Sequence, residues 1–184
     1  MTEKRDLKID VGVIAEKRKA RSKWTEDIWC PTAIIEGQIP QNPGEIIQKT
    51  ELVESYFMGV AEIYCHAKET ESYIHNFESE VPCVFVVLRR DEEDEHPLPW
   101  YVHVVTVSPY EAQDYADSAE DIIERVTMPL SIAKTIMDFI DQHHQEIVFK
   151  KRKRHNYKNE PHQFGKDPIF QTYNGPLNKG TNNG

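Results

Sequence analysis

The chain begins with a strict alternation: Leu7, Ile9, Val11 and Val13 are separated by Lys8, Asp10 and Gly12. Period two over this length is the pattern of a half-buried strand. A basic link, "EKRKARSKW", leads to "DIWCPTAIIEG", a second strand whose Pro31 suits an edge or a bend because proline brings no N–H to a ladder. "QIPQNPGE" is a loop by its Pro, Asn and Gly content. The longest run, "ELVESYFMGVAEIYCHA", places Val53, Ser55, Phe57, Gly59, Ala61, Ile63 and Cys65 on one face. Glu54, Tyr56, Met58, Glu62, Tyr64 and His66 fall on the other, and Gly59 marks a bulge or bend. A short strand is expected around Tyr73 to Phe77. "PCVFVVLRR" is almost continuously apolar, as a central strand is, and the acidic loop "DEEDEHPLP" joins it to "WYVHVVTV" in an antiparallel hairpin with a long connection.

At Ser108 the period changes. Ser108 is placed as an N-cap, Pro109 as the first helical residue and Glu111 as the capping-box partner, so a short helix starts there. Ser118 and Asp121 predict a second helix through "AEDIIERV", ending before Pro129. A final helix is expected from Pro129 to about Lys151, with Ala133, Met137, Ile140, His144 and Ile147 as its apolar stripe and Ile136, Phe139 and Val148 beside it. Strands first and helices last predict an α+β domain: an antiparallel, curved sheet of about five to six strands with C-terminal helices packed on it. That domain is expected over residues 1–154, with 155–184 as a basic, flexible tail.

Composition narrows the class. Hydrophobic residues make up 39% and charged residues 29% of 184 positions, a balance suited to a globular domain with some solvated chain. No window reaches the roughly 18 consecutive apolar residues of a membrane span. The start, "MTEKRDLKID", has no apolar segment after its basic residues, so the expected location is the cytoplasm. Cys30, Cys65 and Cys83 form no CxxC pair and are expected as reduced, largely buried thiols.

The net charge of -9 conceals a segregation. Residues 3–23 carry net +4 and residues 150–184 net +6, which leaves net -19 on residues 24–149. Such a body repels phosphate, so duplex binding by it is disfavoured. Either the basic ends lie against the acidic body, or they meet an anionic partner.

The candidate chemistry clusters in "FIDQHHQEIVFKKRKRHNYK". His143 and Glu146 stand three apart, so a metal site using His143, His144 and Glu146 is one alternative, although it needs further ligands from elsewhere. No cofactor is otherwise expected. The block Lys150, Lys151, Arg152, Lys153 and Arg154 exceeds what the helix dipole explains and is the candidate partner-binding site, with an acidic protein surface as the favoured partner. RNA is the less favoured partner, because aromatic residues are not interleaved through the basic run. There is no glycine-rich phosphate loop, nucleophile elbow or HExxH, and "DEEDE" and "SAEDIIE" read as a solvated loop and a helix start.

Four stretches in order, "VGVIAEKRKARSKWTEDIWCP", "KETESYIHNFESEVPCVFVVLRR", "VSPYEAQDYADSAEDIIERVTMP" and "FIDQHHQEIVFKKRKR", together resemble the proteobacterial domain-of-unknown-function family 3305 over roughly residues 9–154. The resemblance implies no activity or catalytic residues. It does imply association with formate dehydrogenase gene clusters, and hence a non-catalytic accessory role in assembly, maturation or regulation of a molybdenum oxidoreductase, with a dehydrogenase subunit as partner.

Overall fold

In the computed structural model the described residues are 5–20, 24, 26–37, 42–117 and 120–144. They form, in order, β1 (Asp6–Arg18), β2 (Ile28–Glu36), β3 (Ile46–Lys49), β4 (Val53–His66), α1 (Thr70–Phe77), β5 (Cys83–Arg90), β6 (Trp100–Thr106), α2 (Pro109–Ala116), β7 (Ile122–Thr127) and α3 (Leu130–His143). All seven strands belong to one sheet with the path β2-β1-β4-β6-β5-β7, and β3 pairs with β4 beside that path. Every pairing is antiparallel except that of β4 with β6. The ends of the path, β2 and β7, touch, so the sheet curls into a nearly closed barrel. The α+β class and the curvature agree with the sequence reading.

Two bulges decide which side chains face inward. Along β1 and β4, Val13 pairs with Gly59 but Ile14 pairs with Phe57, so Met58 is an extra residue. Gly59 takes a φ of 116°, a conformation that glycine reaches without the clash a Cβ brings. The bulge is where the sequence places it, but its effect on facing is a correction. Ile63 and Cys65 enter the main core cluster, and beyond the bulge Met58 and Tyr56 join it in place of Ser55, while Phe57, only 1% exposed, is buried outside that cluster, because one inserted residue reverses every later side chain. Tyr56 then meets Trp29 of β2, ring centroids 5.2 Å apart, across the small and fully buried Ala15 of β1. On β2, Ala15 pairs with Pro31 and Ile14 with Ala33, so Pro31 sits at an irregularity in a strand that ends the path.

Three expectations fail for identifiable reasons. Residues around Tyr73 to Phe77 are helical, and the buried positions Thr70, Ser72, Tyr73 and Asn76 are polar in three cases of four, so no apolar period marks the helix. "IIERVT" is β7, pairing from Leu88↔Ile122 to Cys83↔Thr127. Its Asp121 is taken by Arg89 in a two-pronged ion pair of 2.9 and 2.7 Å, and β-branched residues suit the open edge of β5 better than a helix. The last helix ends at His143, since His144 has extended backbone with ψ 125°. Its buried stripe is Ile132, Ile136, Phe139 and Ile140, rotated from the expected one, and Met137 faces out. Strand β3, exposed at all four positions, gave no amphipathic signal.

Strand β3 is tied to β4 through Glu54, which accepts from Lys49 Nζ and from the Tyr56 hydroxyl, each at 2.7 Å. The Lys49 ammonium, followed by the Tyr56 hydroxyl, holds Glu54 down at about 2 from an ordinary 4.5. A carboxylate held low in the folded state adds stability that is fully present above its unfolded pKa and lost as pH falls through the folded one. Glu54→Gln should therefore reduce the loss of stability on acidification from 4.5 towards about 2, measured as the urea midpoint against pH. An unchanged acid slope would exclude this contact as its source.

Candidate functional site

Strands β4 and β6 run parallel and share a single paired position, Ile63 with Val105. On the edge away from β1, β4 is held by β3 over Glu54–Tyr56 and meets β6 at Ile63. Between these, among the described residues, no strand pairs with Val60–Glu62 on that edge, or with Trp100–Val104 on the edge of β6 away from β5. The sheet therefore splits, and the split opens a groove of about 880 Å³. Val60, Ala61, Val102, Val104 and Val105 supply an apolar lining, and α1 and α2 flank the mouth with Glu69, Glu71, Glu111 and Asp114.

The helices are placed by buried polar groups. Asn76 of α1 donates to Cys83 O at 2.7 Å and Val107 O at 2.8 Å, and accepts from Cys83 N–H at 3.1 Å. One amide thus joins α1 to the start of β5 and the end of β6. Ser108 caps α2 by accepting from Glu111 N–H at 3.2 Å, as its sequence signature predicts, and its hydroxyl also meets that of buried Ser72 at 2.6 Å. Thr106 donates to Glu111 at 2.6 Å. These hydroxyls are occupied by one another, by Glu111 and by backbone, which is the arrangement of a helix cap.

Electrostatically the groove is acidic. Glu62, Glu69, Glu71, Glu111 and Asp114 line it against a single lysine, Lys68. Lys8 offsets Glu62 at 2.8 Å, and this contact raises the Lys8 pKa. Glu69 accepts from the Tyr73 hydroxyl at 3.0 Å, and burial pushes that phenol up. His103 stands edge-on between Tyr101 and Tyr115, with centroids 6.3 and 5.5 Å away.

The two nominated histidines that are described, His143 and His144, do not line this groove. His143 packs its ring on Phe139 with centroids 4.6 Å apart, and His144 Nδ1 lies 3.1 Å from the Thr70 hydroxyl at the start of α1. The two imidazoles therefore have separate partners. Glu146 and Lys150, Lys151, Arg152, Lys153 and Arg154 are outside the described residues. Among the described residues no three His, Cys, Asp or Glu side chains are grouped to hold a metal ion. All three cysteines are free: Cys65 and Cys83 are buried and Cys30 is half-buried, and burial pushes the Cys65 thiol up to about 12. In the acidic loop, Asp91 accepts from His96 N–H at 2.6 Å, and His96 stacks on Tyr101 at 4.2 Å. Among the described residues no helix is long and apolar enough to cross a membrane.

The groove was not visible in the sequence, because its walls come from residues 60–72 and 102–114, and only the fold joins them. A family model described as "Protein of unknown function (DUF3305)" matches residues 10–153, and the chain belongs to that family. Comparison with curated proteins and with solved structures gives no match.

Proposed function

We propose that this member of the DUF3305 family is a non-catalytic accessory protein that receives a segment of a partner protein in the groove between β4 and β6. The observation that carries the reading is the parting of the sheet at Ile63 and Val105, which leaves two strand edges facing one apolar-floored hollow. Unpaired edges are templates for another chain, and proteins that do not use them cover or blunt them. The resemblance of the four sequence stretches to a family that accompanies formate dehydrogenase clusters supports a dehydrogenase subunit as the partner. The basic run Lys150 to Arg154 is a second contact, to an acidic surface of the same partner.

Val60 is 59% exposed on the groove rim, so Val60→Arg leaves the core intact and obstructs the hollow. Affinity capture with the full chain from native cells should recover a dehydrogenase subunit and lose at least about 90% of it with V60R, a tenfold change. Replacing Lys150 to Arg154 by alanine should weaken recovery and its salt sensitivity together. Recovery of the subunit at wild-type level by V60R rules out the groove. Absence of any dehydrogenase component from the wild-type capture rules out the accessory assignment.

A further inference from the structure

Resting on the docking reading above, we infer that the segment held between β4 and β6 is an extended, basic one, with Lys or Arg at alternate positions, bound as an added strand. The backbone argument is geometric. The open edge of β6, Trp100–Val104, is five residues long, about 17 Å at the rise of a strand. An extended chain offers N–H and C=O groups at that repeat, whereas a helix has satisfied its own.

The charge argument selects the sequence. Five carboxylates line the groove against Lys68, and only Glu62 among them is offset by a lysine, Lys8. Glu71 and Asp114 have no hydrogen-bond or ion-pair partner among the described residues, which leaves both open to an incoming cation. The walls also suit long basic stems. Val60, Val102 and Val104 offer apolar contact to methylene groups, and Tyr110, 55% exposed and stacked on His75, presents a ring face at the mouth. In a strand successive side chains point to opposite faces, so cations at every second position would all meet the α1 and α2 wall while the residues between them turn away from it.

The test uses the full chain and three labelled octapeptides of alternating pattern, with Lys/Arg, Gln or Glu at the alternate positions, in fluorescence polarisation at low and high salt. The basic peptide should bind at least tenfold more tightly than the Gln peptide, lose that margin in high salt, and bind about tenfold more weakly to a Glu71→Gln, Asp114→Asn double variant. Its binding should slow amide exchange along Trp100–Val104. Equal affinity for all three peptides, or binding with no slowing there, overturns the basic-strand inference while docking stands if V60R still abolishes capture. No peptide binding together with unaffected V60R capture overturns both. Basic-peptide binding that appears only when Lys150 to Arg154 are alanine identifies the chain's own basic run as the occupant and overturns a partner's.

Discussion

Replacing Ile63 by alanine should lower the unfolding free energy by about 3 kcal/mol, within the range for a wholly buried large-to-small change. Ile63 is fully buried, belongs to the main core cluster and is the one β4 residue paired with β6. The cavity therefore opens at the joint of the sheet, between Ile9 of β1 and Val105 of β6, in a close-packed core that restricts collapse into the space. Urea denaturation of the full chain is the measurement, and Val60→Ala, an exposed residue of the same strand, is the control expected within about 0.5 kcal/mol of wild type. If Ile63→Ala costs no more than the control, β4 and β6 are not packed together at this position.

An effect of similar size is expected from Asn76→Ala. The side chain is 3% exposed and serves three backbone groups, Cys83 O, Cys83 N–H and Val107 O. Truncation strands all three in a site closed to bulk water, and each unsatisfied buried group costs about 1–3 kcal/mol. With partial relaxation the loss should be about 3–4 kcal/mol. Asn76→Asp separates hydrogen bonding from packing, because it keeps the shape and the acceptor for Cys83 N–H but loses both donations. A cost for Asn76→Ala below about 1 kcal/mol would mean that these backbone groups find other partners.

These two residues also mark the limits of reading the chain from its sequence. Alternation in β1, the continuous apolar run of β5 and the Ser108 capping box were legible because each is a local signal, and each element is found where the signal lies. Asn76 was hidden because its inward face on α1 is mostly polar, so apolar periodicity could not report a helix there. Residues Ile122–Thr127 follow the helix-start signal of Ser118 and Asp121, which pairing with β5 overrides. At Gly59 the bulge was legible but its reversal of Tyr56 and Met58 was not, since glycine announces an irregularity without giving its length. The groove lay furthest from reach. Glu71 and Asp114 look like ordinary solvated helix residues until the fold sets them on one hollow.

The single pairing of β4 with β6 has a consequence for how the barrel breathes. On one side of that seam lie β1 to β4, all within residues 6–66, and on the other β5, β6 and β7, within residues 83–127. Each group is a contiguous piece of chain whose strands close antiparallel ladders on one another. The two are joined at a single paired position, Ile63 with Val105, against thirteen paired positions between β1 and β4. The seam is thus the most thinly paired joint along the path, and its opening leaves both ladders intact. A local fluctuation of this kind costs much less than global unfolding, so the groove can widen while the rest of the barrel keeps its register.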